Sequence, residues 1–191
     1  MRATLLNSLG KREFEVGKKI NEIIVSLTQK NISAIKIDLE QKNVFPCMSC
    51  EGCLYITPGR CVQKDDTAEI LSEIAKSGII IAFTKITFGG YSADLKKIVD
   101  KFALLATPFY KVSNGSLLHP SRYGIQKHFI VVGVTDRELP ASQKENFKLL
   151  VKRNSINLSI PSKKAIVVNT SKDTDLMKKQ IMDYLGYGEI A

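Results

Sequence analysis

Six consecutive residues of this chain, Gly78-Ile79-Ile80-Ile81-Ala82-Phe83, carry no polar side chain. Successive side chains of a strand point to opposite faces, so a strand apolar throughout must be covered on both. The run is far short of the roughly 20 apolar residues that span a bilayer. It is read instead as a central strand of a parallel sheet. His128-Phe129-Ile130-Val131-Val132-Gly133-Val134 repeats the pattern. Shorter runs give strands at Ala3–Leu6, Ala34–Leu39 and Ala165–Val168. Between them lie segments with helical spacing. Phe14 to Leu27 has apolar residues at Val16, Ile20, Ile23, Ile24 and Leu27. Ser92 to Ala106 lines up Leu95, Ile98, Val99 and Phe102. Further helices are expected over Thr67–Ala75, with Asp65 or Asp66 as cap, over Pro140–Val151, and over Thr174–Leu185 ending at Gly186.

Strands that alternate with helices connect by right-handed crossovers, which gives a parallel sheet covered on both faces. Five such units suit a flavodoxin-like α/β fold, a three-layer sandwich whose five-stranded parallel sheet runs 2-1-3-4-5. In that order the ligand crevice lies at the carboxyl ends of strands 1 and 3. The loops that matter are then residues 7–14, 40–66 and 84–91. The 191 residues, 44% hydrophobic and 25% charged, suit one domain over 1–191 with a cysteine-rich insertion at about 45–63. With no long apolar run and no cleavable leader pattern at the start, the expectation is a cytoplasmic protein without membrane contact. The net charge of +9 is spread over pairs such as Lys18-Lys19, Lys96-Lys97, Lys163-Lys164 and Lys178-Lys179. That pattern reads as solvated helix faces that favour an acidic partner or a phosphorylated cofactor, and it argues against nucleic acid.

All four cysteines fall within the second loop, as Cys47, Cys50, Cys53 and Cys61, with the spacing C-x2-C-x2-C-x7-C. Disulfides are disfavoured in a cytosolic chain. Structural zinc usually takes two separated CxxC knuckles, whereas here two CxxC turns overlap at Cys50. Three thiolates from one wrap of chain suit three corners of an iron–sulfur cubane, and Cys61, after a Pro-Gly turn, suits the fourth. A [4Fe–4S] cluster, zinc and free thiols all remain open on spacing alone.

The run Cys50-Glu51-Gly52-Cys53, Thr57-Pro58-Gly59-Arg60-Cys61 and Asp65-Asp66 resembles the iron–sulfur flavoprotein family, within the flavodoxin-like and NADPH-dependent FMN reductase superfamily. Phe88-Gly89-Gly90-Tyr91-Ser92-Ala93-Asp94-Leu95-Lys96 with Asp100-Lys101 is similar to that family's flavin-cradling loop and helix. The resemblance implies FMN, a [4Fe–4S] cluster on the four cysteines, and a homo-oligomer. It also implies electron transfer from a ferredoxin-like donor or NAD(P)H to a small-molecule acceptor. The flavin-binding positions it implies are Ser8, Gly10 and Lys11 for the phosphate, with Thr84, Lys85, Ile86, Thr87, Phe88, Gly89 and Gly90 for the ring. Two departures stand out. The first loop, Asn7-Ser8-Leu9-Gly10-Lys11-Arg12-Glu13, lacks the family's hydroxyl-rich half, and Glu13 and Glu15 bring negative charge. The third loop reads Thr84-Lys85-Ile86-Thr87 without the family's proline and aromatic. Backbone amides still suffice for the ring edge, and Lys85 at its pyrimidine end would favour a reduced, anionic flavin.

No catalytic side chain is assigned. His128 opens a strand and reads as structural. His119 lies in a long loop, Thr107 to Lys127, of the kind that forms lids or oligomer contacts. The expected function is a redox flavoprotein passing electrons through both cofactors. The alternatives are an NAD(P)H-dependent FMN or quinone reductase without a cluster, and a non-enzymatic metal-bearing module that has lost FMN.

Overall fold

The computed structural model describes residues 1–10, 14–113, 115–170 and 174–187. Five parallel strands form one sheet: β1 (Arg2–Asn7), β2 (Ser33–Asp38), β3 (Ile79–Lys85), β6 (His128–Thr135) and β7 (Ser162–Asn169). Their order is β2-β1-β3-β6-β7, all parallel. This is the expected 2-1-3-4-5 arrangement once two short strands, β4 (Lys111–Ser113) and β5 (Ser116–Leu118), are set aside as a separate antiparallel hairpin. That hairpin occupies the long loop after Thr107. The doubly apolar runs are central, as their composition requires, and Ile79 to Phe83 are fully buried.

Alternation along the strands sorts the core into two layers. Leu5, Ile79, Ile81 and Phe83 pack with α1 (Phe14–Gln29) and α6 (Thr174–Tyr184). Leu6, Ile80 and Ala82 face α3 (Thr67–Ala75), α4 (Ala93–Asp100) and α5 (Ala141–Asn157). A single helical turn of four residues, α2 (Gly52–Tyr55), sits inside the cysteine loop on this second side. Among the described residues no helix is long and apolar enough to cross a membrane.

Three boundaries differ from the sequence reading. The helix expected over 92–106 ends at Asp100 and tightens into a 3-10 turn over Lys101–Leu105. That winding buries Lys101 together with Phe102, Leu104 and Leu105. Helix α5 runs six residues past Val151, through a polar stretch without apolar periodicity, and Pro140 occupies its cap position. Strand β7 begins at Ser162, where the exposed Lys163 and Lys164 hide it from an apolar search although it pairs with β6 throughout.

Candidate functional site

The cysteine loop leaves the sheet after β2 and returns at α3. Its two ends are tied together at the base. Asp66 N–H donates to Asn43 O at 3.0 Å, and Asn43 N–H donates back to the Asp66 carboxylate at 2.8 Å. Asp65 accepts from Phe45 N–H at 2.8 Å and from Thr67 N–H at 3.0 Å. Lys101 Nζ completes the knot, donating to Asp65 Oδ2 at 2.6 Å and to Thr67 Oγ1 at 2.9 Å. Asp66 holds the cap position of α3 but makes no side-chain cap bond; the carboxylates serve the loop instead. Burial alone would push the Asp65 carboxyl up, but Lys101, the Thr67 hydroxyl and the two amides outweigh it and hold it down to about 2.

Above this base the chain folds back on itself. Ser49 and Glu51 both take left-handed conformations, with φ of 53° and 56°, an uncommon state for these residue types. They bracket Cys50 and turn the chain so that Cys47, Cys50, Cys53 and Cys61 all line one cavity. Gly52 makes the wrap possible, since a Cβ there would stand 3.0 Å from Val62 Cγ1 and 3.7 Å from Cys50 Sγ. Cys47 and Cys50 are exposed, while Cys53 and Cys61 are half-buried against the core. Burial pushes the Cys53 thiol up, and the nearness of Cys47, Cys61 and Cys50 adds to it. Ser49 N–H already points at Cys47 Sγ, 3.5 Å away. The cavity holds about 30 Å³. Among the described residues no three Cys, His, Asp or Glu side chains are grouped to hold a metal ion as they stand. The donor set fits a cluster, with Cys47 and Cys50 at its exposed rim.

The second candidate region is the crevice at the carboxyl ends of β1 and β3, where Asn7 stands in register with Asp38 on one side and Phe83 on the other. Ser8 Oγ donates to Phe83 O at 2.8 Å, so its one proton is given to a carbonyl. Ser92 Oγ donates to Ser8 Oγ at 2.8 Å, and Thr84 Oγ1 donates to Ser92 Oγ at 3.0 Å. Thr84 is fully buried in this hydroxyl chain. Gly10 has φ of 70°, and a Cβ there would lie 3.1 Å from the Glu40 carboxylate. Lys11 lies outside the described residues. Thr87 and Gly90 exchange backbone hydrogen bonds at 3.1 and 2.9 Å around Phe88 and Gly89, both left-handed. The tip ring of Phe88 is 94% exposed. Lys85 and Ile86 line a cavity of about 320 Å³ with Val134, Asp136 and Arg137, between the ends of β3 and β6.

The structure therefore brings the four cysteines together, and it brings Lys85 and Ile86 to one cavity. Ser8, half-buried, and Thr84, fully buried, are instead joined through Ser92 in one hydroxyl chain. Sequence reasoning missed Arg137, Glu40 and the Asp65–Lys101 pair. Their residue types are common and their partners are distant in sequence, so no local spacing marked them. His128 is structural as expected: its Nδ1 is 3.2 Å from Ser162 Oγ, its ring meets Tyr184 edge-on, and burial, then Lys127, lowers its pKa.

No protein-family model matches the chain. Among curated proteins, an iron–sulfur flavoprotein of Methanocaldococcus jannaschii is 31% identical over 111 residues, 56% of this chain and 56% of that protein. One of Archaeoglobus fulgidus is 27% identical over 78 residues, 41% of this chain and 37% of that protein. The chain thus matches about half, or less, of the length of these relatives. Among solved structures, an FMN-dependent NADH-azoreductase of Bacillus anthracis in complex with FMN superposes with a TM-score of 0.66 at 12% identity, covering 97% of this chain and 98% of that one. An NAD(P)H:quinone oxidoreductase of Methanothermobacter marburgensis gives 0.63 at 12% identity, covering 98% and 94%. Over about half of its length this chain is similar in sequence to proteins named iron–sulfur flavoproteins, and its fold is the flavodoxin-like one of these reductases.

Proposed function

We propose that this chain is a redox flavoprotein that passes electrons between a ferredoxin-like or NAD(P)H donor and a small acceptor, using a [4Fe–4S] cluster and FMN. The observation that carries the reading is the convergence of Cys47, Cys50, Cys53 and Cys61 on one cavity. A cluster moves single electrons and a flavin stores two, so together they interconvert one- and two-electron chemistry. The four thiolates would ligate iron, and the Ser49 amide would hydrogen-bond the Cys47 sulfur. Asp65, Asp66 and Lys101 keep the loop's ends in place whether or not metal is bound. Lys85 and Arg137 would supply positive charge at the flavin cavity, and the backbone of 85–90 would meet the ring edge. A phosphate would rest on Gly10 and Lys11, with Ser8 turning away from Phe83 to donate to it. The names and cofactors of the relatives and fold neighbours support this reading, and a homo-oligomer in the cytoplasm accords with it.

A second reading is a metal-bearing module that has lost FMN. It is favoured by the Ser8 proton already given to Phe83 and by the Glu40 carboxylate beside Gly10, both adverse to a phosphate dianion. A reductase with FMN and no cluster is the third. Anaerobic purification with iron, acid-labile sulfide and FMN assayed on one sample separates all three. About four irons per chain with flavin supports the two-cofactor carrier. Flavin without iron selects the plain reductase, and iron without flavin selects the module.

A further inference from the structure

A second space beside the cysteine loop is lined by Phe102 and Ala103 of the 3-10 turn and by Leu54 of the loop. It holds about 400 Å³ and is roofed by the β4–β5 hairpin. This volume falls within the usual range for small-molecule sites. Leu54, Val99, Phe102 and Leu158 give it apolar walls. Its polar lining is His119, Asn154, Asn157 and Asp100, with no Lys or Arg, although the chain carries 28 of them.

That lining decides the ligand's character. His119 Nδ1 stands 3.0 Å from Thr107 O and 3.1 Å from Phe109 O. Two carbonyls at one nitrogen place a proton there, which leaves Nε2 as the ring's other polar atom. Tyr110 packs on the ring, centroids 4.4 Å apart, and fixes its plane. Asn154 Nδ2 donates one of its two protons to Tyr91 OH at 3.0 Å, which leaves its Oδ1 as an acceptor beside one remaining N–H. Asp100 adds a carboxylate, tied to Lys96. Acceptors dominate and no cation answers an anion, so a phosphorylated ligand is disfavoured.

We propose that this cavity binds a neutral one- or two-ring aromatic molecule bearing a hydroxyl or N–H donor. Asp100 and Ala103 face both this cavity and the thiol cavity, and Leu54 directly follows Cys53. A ligand here would sit one layer of side chains from the cysteines. Binding itself does not depend on the two-cofactor reading; only the role of acceptor seat rests on it.

Equilibrium dialysis of the protein as purified, against 2-naphthol and against 2-naphthyl phosphate, tests the site. The expected result is one saturable site for 2-naphthol and at least about tenfold weaker binding of the phosphate. His119→Ala should weaken 2-naphthol about tenfold, the worth of one buried hydrogen bond. Asn157→Lys, at an exposed lining position, should raise binding of the phosphate. The proposal is overturned by absence of a saturable site, by equal binding of the two probes, by unchanged affinity in His119→Ala, or by an unmoved phosphate affinity in Asn157→Lys. Iron content does not enter these readouts, so failure here and failure of the cluster reading are told apart.

Discussion

A lysine side chain that is 1% exposed must have its charge answered inside the protein, and Lys101 finds the Asp65 carboxylate, itself 0% exposed. Removing one partner of such a pair strands the other charge, at a cost of about 3–5 kcal/mol. Lys101→Met should therefore lower the free energy of unfolding in urea by that order. Asp65→Leu with Lys101→Met should not recover it, because the Phe45 and Thr67 amides then lose their acceptor. The pair also predicts an acid limb. The Asp65 pKa is depressed in the folded state, so its contribution is complete above the ordinary carboxylate pKa near 4 and is lost as pH falls toward about 2. That depression corresponds to about 2.5 kcal/mol. Unfolding monitored between pH 5 and 2 should show wild type losing that much more than Asp65→Asn. At this scale the cysteines were legible from sequence, because they are rare and clustered. The Asp65–Lys101 pairing was not legible, since the partners lie 36 residues apart and neither residue type is unusual.

Among the elements, the strands were the most legible, because apolar residues on both faces admit few other readings. The hairpin β4–β5 was not, having three-residue strands with Val112 and Leu117 largely exposed. Nor was the switch from α4 to a 3-10 turn, since apolar spacing fits both windings there. The contact between the third loop and β6 shows how tightly the elements meet. A Cβ at Gly133 would lie 2.6 Å from Phe147 Cζ and 2.7 Å from Ile86 Cδ1. The glycine in the apolar run is what lets Ile86 fold down over the sheet and α5 close against it. Gly133→Ala should cost about 1–3 kcal/mol through overpacking. Ile86→Ala in the same chain should return part of it, and a denaturant series on the two single variants and the double gives the coupling. An additive result would mean that Ile86 is not the group that blocks the methyl.

At the scale of the molecule, the two apolar layers are built from the sheet and five helices, and the cysteine loop touches only one of them, through Cys53 and Cys61. Small metal domains that lack a core unfold when metal is withdrawn, because ligation supplies their folding energy. Here the core is independent of the thiols, and the loop's base is held by the Asp65, Asp66 and Lys101 contacts, none of which involves sulfur. Metal binding and global stability should therefore separate. Cys50→Ser should lose its iron yet keep a urea midpoint within about 0.5 kcal/mol of wild type, as expected for a surface change outside the core. Limited proteolysis should show where the lost ligation is felt, with faster cleavage within residues 47–61 and an unchanged remainder, because cleavage follows local opening. A midpoint that fell with the iron would place the loop inside the cooperative unit. The left-handed turns at Ser49 and Glu51 would then be held by the core rather than completed by the metal.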